Sequence, residues 1–138
     1  MKIRVFILST VSLLFLTSAT PVKQNGIGIS EKLIGTWTWT TFISAETKQE
    51  LSMEAFTQMQ VKEMKTEFRS DNTYIESKLK KGNKDYITVN GEWKVENEEI
   101  LSLKEKANWT PAKILKFAND SLLLQMNPKI VLLMVKQK

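Results

Sequence analysis

Carboxylates are the side chains left to run acid–base chemistry in this chain, because its 138 residues include no histidine and no cysteine. Without imidazole or thiol there is no Cys–His pair, no histidine-borne metal, no thiolate zinc or iron–sulfur site and no disulfide framework. The carboxylates themselves do not converge. Glu98, Glu99 and Asp120 fall in turn-forming stretches, while Glu92 and Glu96 share the polar side of an alternating strand. No acidic run resembles an EF-hand calcium loop. These residues point away from an enzyme, and neither metal nor cofactor is expected.

Aromatic and aliphatic side chains offer more. Ile34-Gly35-Thr36-Trp37-Thr38-Trp39 alternates with a period of two and puts two indoles on one face, entered through a glycine that permits close approach of the preceding chain. The strand runs to about Ile43, with Trp37, Trp39, Thr41 and Ile43 on that face. Trp37, next to Gly35, reads as a structural plug. Trp39 lies one step further along and is the indole expected to touch a ligand.

The elements that must position these rings are short strands. Asp71-Asn72 reads as a two-residue hairpin setting Phe68 opposite Ile75, Thr66 opposite Ser77 and Met64 opposite Leu79. A loop at Gly82-Asn83-Lys84 pairs Leu79 with Ile87 and carries the inner face through Val89, Gly91, Trp93 and Val95. Asn97-Glu98-Glu99 sets Val95 against Leu101 and Trp93 against Leu103. Beyond a longer loop from Glu105 to Pro111, which carries Trp109, Asn119-Asp120 pairs Phe117 with Leu122 and Leu115 with Leu124. Asn127-Pro128-Lys129 sets Met126 against Ile130, Leu124 against Leu132 and Leu122 against Met134. The first connection breaks this rhythm: Ser52 caps a short amphipathic helix over about 52–61 that carries Met53, Phe56 and Met59.

Eight antiparallel strands in a meander remove their two edges by closing the last onto the first. The expected fold is therefore all-β, an eight-stranded up-and-down barrel with one helix in its first connection. Tight turns gather at one end and the longer connections at the other, giving a closed base and an open mouth. Trp39, Thr41, Met53, Phe56, Met64, Leu79, Ile87, Leu103, Trp109, Leu115, Met126 and Ile130 line that upper interior or its rim, with Thr41 and Ser77 as orienting polar groups.

The chain opens as a secretory signal does, with Lys2 and Arg4, an apolar run from Val5 to Leu16 and small residues at Thr17-Ser18-Ala19. That apolar run is shorter than the ~20 residues of a membrane span. Residues 1–19 are expected to be removed, 20–29 to form a loose leader and 30–138 to fold, with Ser30 capping a helical turn at Glu31-Lys32-Leu33. Removal takes the formal charge from +5 to +3 and leaves Arg69 as the one arginine. Recognition of phosphates and bases leans on arginine's planar fork, and the lysines here are interleaved with glutamates, so no nucleic-acid partner is expected.

Gly35-Thr36-Trp37 after a capped turn, Phe68-Arg69-Ser70-Asp71-Asn72-Thr73-Tyr74, Gly91-Glu92-Trp93 and Ala118-Asn119-Asp120-Ser121-Leu122 together resemble lipocalin-like domains of the secreted bacterial kind, over roughly residues 30–136. The resemblance implies a barrel with Trp37 plugging its base and small apolar molecules as ligands. Two departures stand out: the arginine that lipocalins set against that tryptophan from the last strand is replaced at best by Lys136, and no C-terminal helix follows. The function implied is a secreted or periplasmic protein, soluble after signal cleavage, that holds a small apolar ligand at the barrel mouth. The alternative is a barrel filled by its own side chains that serves as an envelope interaction module. Leu123, Val131, Leu133 and Val135 fall on the outside of the last two strands, where a free-standing barrel should be polar. A two-fold homodimer through that wall is the simplest cover.

Overall fold

The computed structural model describes residues 28–57 and 60–138, with the side chain of Phe56 left out. The expected signal segment, the leader as far as Ile27, and Met59 lie outside the described residues. In chain order the elements are α1 (Ile29–Leu33), β1 (Gly35–Ser44), β2 (Glu50–Leu51), α2 (Met53–Thr57), β3 (Val61–Phe68), β4 (Thr73–Lys80), β5 (Ile87–Glu96), β6 (Ile100–Glu105), β7 (Asn108–Ala118), β8 (Ser121–Asn127) and β9 (Ile130–Lys136).

Each of β3 to β8 pairs antiparallel with the next, β3 pairs with β1, and β9 returns to β1, so eight strands close a barrel. The two-residue strand β2 is an addition to the expected meander. It pairs with Phe42 and Ile43, whereas β3 reaches only Gly35 to Thr38. β9 holds the other edge of β1 from Trp37 to Ser44. The gap this leaves above the β1–β3 ladder is filled by β2 and by α2, which packs on both strands. The Ser52 hydroxyl accepts from the Ala55 N–H at 3.0 Å, as an N-cap does, but the helix spans only Met53–Thr57. It packs on β1 and β3, with Met53 against the core.

The base is built around Trp37, which is fully buried. Its indole N–H donates to the Leu33 carbonyl at 2.7 Å, and its ring meets Phe117 edge-on at 5.7 Å. Burying an indole of ~150–250 Å² at ~25 cal/mol per Å² contributes about 4–6 kcal/mol of apolar transfer. Beneath it α1 runs from Gly28, its N-cap, so Ser30 lies inside the helix and does not cap it. The cap bond comes from across the base, where the Glu98 carboxylate accepts from the Ile29 N–H at 3.0 Å. Glu98 is thus a structural group and not merely a solvated turn carboxylate. Phe68 and Trp93 meet edge-on at 5.4 Å in the same layer, with Leu101, Leu122, Leu132 and Met134 completing the core.

Several registers follow the sequence pattern. Val95 faces Leu101, Trp93 faces Leu103, Phe117 faces Leu122, Leu122 faces Met134 and Leu124 faces Leu132. Asn97 and Glu98 turn the β5–β6 hairpin at positive φ. Others differ by one residue, and in a strand one residue inverts every side chain. Phe68 pairs with Tyr74, Thr66 with Glu76 and Met64 with Lys78, while Ile87 pairs with Lys78 instead of Leu79. The cause is the turn. Asn72 takes φ 63° and its N–H reaches the Arg69 carbonyl, the Arg69 N–H bonds the Thr73 carbonyl, and Asp71 accepts from both the backbone and the hydroxyl of Thr73. These bonds make a longer loop than Asp71-Asn72 alone. Tyr74, Glu76 and Lys78 therefore take the inner face of β4, and Ile75 and Ser77 go outside.

Candidate functional site

Inside the barrel, on the mouth side of Trp37, lies a cavity of about 50 Å³. Trp39, Phe68, Leu101, Leu103, Leu124 and Met126 line it, along with Ala112, Leu132, Met134 and the two threonines Thr66 and Thr110. Thr66 is 1% exposed, and its hydroxyl accepts the Trp39 indole N–H at 2.8 Å, so the polar atoms there are already satisfied. Trp39 also packs edge-on against Phe42 at 6.0 Å. Thr110 is exposed and forms the rim.

Of the residues expected to line the upper interior, Trp39, Leu103 and Met126 meet at this cavity. Met126 does so from a bulge, because the β8–β9 register shifts between Gln125 and Asn127 and leaves it without a strand partner. Met64 is buried on the inner face of β3, and Met53 and Ile130 pack against the core from α2 and β9, but none of the three lines the cavity. Phe56 lies on α2, its side chain undescribed. Ile87 stands at the mouth, 49% exposed.

Four expected residues are elsewhere. Thr41 is outside the barrel: β1 shifts register between Trp39 and Thr41, so Phe42, fully buried, takes the inner position and Thr41 pairs with Leu133 on the outer face. Leu115 is the extra residue of a bulge in β7, which puts Ile114 opposite Leu124 and leaves Leu115 46% exposed. Leu79 is buried, but opposite Glu63 and off the main core. Trp109 is not in a mouth loop. β6 and β7 are joined by a tight turn at Lys106-Ala107, which places Trp109 opposite Lys104 on the outer wall, with the Lys94 ammonium 4.3 Å from its ring centroid. Ser77, the other expected polar group, faces out with it.

The slip in β4 brings in groups that the alternation of apolar residues concealed. Tyr74 is 3% exposed and its ring lies over Gly91, where an added Cβ would stand 2.5 Å from Cε1 and 2.8 Å from Cζ. Glu76 follows on the same face, opposite Val89. Burial holds its carboxyl above the usual range, with Lys78 pulling it down and Glu105 pushing it up. On the outer wall the opposite holds for Glu63: the bond it accepts from the Tyr86 hydroxyl lowers its pKa, and Lys65 adds to the effect. A glycine opposite an aromatic residue was the one signal that could have revealed the β4 register in advance.

Among the described residues no group of three or more acidic, histidine or cysteine side chains is placed to hold a metal ion. No helix among them is long and apolar enough to cross a membrane.

No curated protein matches the chain. Solved structures share its fold, two of them as follows. One is described as a lipocalin-like protein from Bacteroides uniformis ATCC 8492, with 13% identity and a TM-score of 0.59 over 77% of this chain and 99% of that one. The other is an uncharacterized protein from Bacteroides eggerthii DSM 20697, with 8% identity and a TM-score of 0.54 over 75% and 98%. Together with the closed eight-stranded meander they make this a lipocalin-like barrel. The family model described as Domain of unknown function (DUF5004) matches residues 20–125, and the chain belongs to that family.

Proposed function

We propose that this lipocalin-like barrel is a non-catalytic binding protein, exported by its signal segment, that holds a small ligand at its mouth with an apolar tip in the cavity beside Trp39. The observation that carries this reading is the cavity itself, enclosed by apolar side chains and opening at Thr110. Its size limits the ligand. About 50 Å³ is far below the ~300–1,000 Å³ of pockets that swallow a drug-sized molecule. Only the end of a chain or a small substituent enters, and the remainder rests on the mouth strands. Affinity then comes from apolar burial at ~25 cal/mol per Å². The test is uptake of hydrophobic fluorescent probes, short lipids and aromatics by the folded protein, followed by tryptophan emission. Binding should shift that emission, and Trp39→Phe should remove much of the response; no uptake across the panel defeats the reading.

The small cavity also favours a second reading, a filled barrel acting through its outer wall in the cell envelope. Leu123 and Leu133 pair on that wall and Val135 is 39% exposed, whereas Val131, opposite Ile43, is already buried within the chain and contributes little to such a surface. A two-fold dimer through these residues is the form proposed.

A further inference from the structure

The registers of β4 and β6 put Tyr74, Glu76 and Glu105 on inner faces of the barrel wall. Gly91 lets the far end of the Tyr74 ring cross β5, since an added Cβ there would also stand 2.2 Å from the Lys104 carbonyl oxygen on β6. Continuing the β5–β6 register one step beyond Glu92 and Lys104 sets Gly91 opposite Glu105. The phenol of Tyr74 is thereby carried toward Glu105, with Glu76 two residues along β4 on the same face. Burial raises the Tyr74 pKa first, and the charges of Glu76 and Glu105 raise it further, as expected for three groups facing a common volume.

None of the three has a partner among the described residues. Tyr74 is 3% exposed, yet its hydroxyl makes no hydrogen bond; Glu76 and Glu105 make neither hydrogen bonds nor ion pairs. Lys78, next on the inner face, makes no hydrogen bond or ion pair either, although its charge acts on Glu76. Surface carboxylates of this protein do find lysines, as Glu92 does with Lys104 at 3.1 Å and Glu54 with Lys81 at 2.8 Å. Among the described residues no buried side-chain oxygen is left without a partner, so these groups keep contact with solvent: Glu105 is exposed, and only Glu76 is half-buried, where burial disfavours its charge and a cation arriving with a ligand would offset that effect. Two carboxylates against one lysine leave this corner formally negative. Leu103, which lines the apolar cavity, and Glu105 are alternate residues on the same face of β6, so the charged corner adjoins the cavity.

We infer that this corner is a head-group site for a primary ammonium carried on a short apolar chain, with the cation between Glu76 and Glu105, the Tyr74 hydroxyl oxygen as a further acceptor, and the chain directed past Leu103 into the cavity. The inference rests on the binding reading above and names its ligand class. A neutral alcohol of the same length would fill the cavity but leave the carboxylates unpaired, and a carboxylate ligand would be repelled.

Titration calorimetry with hexylammonium, 1-hexanol and hexanoate at pH 7 tests it. Hexylammonium should bind at least tenfold more tightly than hexanol, with hexanoate weakest. Glu76→Gln and Glu105→Gln should each weaken hexylammonium about tenfold and leave hexanol unchanged, while Glu92→Gln, on the outer wall, should change nothing. Loss of binding through misfolding is separated by thermal melting, where Glu76→Gln should melt no lower than wild type. Equal binding of hexanol and hexylammonium, or an equal loss in Glu92→Gln, overturns the ammonium assignment and leaves a binding protein of another class. If no hexyl compound and no hydrophobic probe binds, the head-group site and the binding reading both fall.

Discussion

The ammonium of Lys136 lies 5.6 Å from the centroid of the Trp37 ring and donates to the Lys32 carbonyl at 2.9 Å. A lysine on the last strand thus stands over the base tryptophan and ties down the last turn of α1, where a carbonyl lacks a helical partner. Gly35 makes room for it. Its φ is +130°, and an added Cβ would stand 2.8 Å from the Lys136 Cε.

These two residues should therefore be coupled. Gly35→Ala is expected to destabilise by about 1–3 kcal/mol through backbone strain and crowding, and Lys136→Ala by about 1–2 kcal/mol. Because alanine at 136 removes the atoms that crowd residue 35, the double variant should lose less than the two single losses added together. Urea unfolding of all four proteins measures the cycle, and strict additivity would show that Gly35 is needed for its dihedral alone.

Gly91→Ala should be more damaging than its size suggests. The added methyl meets the Lys104 carbonyl as well as the Tyr74 ring, so shortening the tyrosine relieves only part of the clash. A loss of about 3 kcal/mol is expected, and Tyr74→Ser in the same chain should restore only a minor share. Full rescue by Tyr74→Ser would mean that the backbone of β6 gives way freely.

Glu76 should make stability depend on pH in the reverse of the usual carboxylate sense. Burial raises its folded pKa above the unfolded value, so the native state binds the extra proton between the two. Its contribution is most favourable below the unfolded pKa of ~4.3 and is lost as pH rises through the folded value. Glu76→Gln should accordingly melt above wild type at pH 7, with the gap closing toward pH 4. A gap that widens on acidification would show that the carboxylate is stabilised in the fold.

The outer wall of β8, β9 and β1 supplies a test of the second functional reading. Leu133→Lys should turn a dimer into a folded monomer in sedimentation velocity, at little cost to the fold because Leu133 faces away from the core. A wild-type protein already monomeric at high micromolar concentration removes the dimer, and unfolding of the variant would show that the wall is covered by its own chain.

Turn chemistry and alternation made most of this barrel legible in advance. Gly35 and Trp37, the Asn97-Glu98 turn and the facing runs of β8 and β9 are places where local and long-range preferences agree. Trp109 departs from expectation because the β6–β7 connection is a tight turn and not a long loop, and most other failures come from loss of phase along a strand. Bulges at Thr40, Leu115 and Met126 sit at residues with no special type, and each reverses the faces beyond it. In β4 the apolar residues Ile75 and Leu79 suggested one face, but the hydrogen bonds of Arg69, Asp71 and Asn72 chose the other. The candidate head-group site was hidden by that same slip, since Glu76 on an outer face would be only one more solvated carboxylate.

The ladder between β1 and β9 joins residues 86 to 99 apart in sequence, and just beyond it the Gln137 amide donates to the Thr38 hydroxyl at 3.0 Å. One edge of the first strand must therefore wait for the last strand to be made. Loop-closure entropy grows only slowly with length, so the cost falls less on equilibrium stability than on the time taken to fold. A chain emerging from the ribosome would present β1 with that edge open until β9 had followed it. The order of synthesis thus sets the interval during which this barrel can pair with the wrong strand.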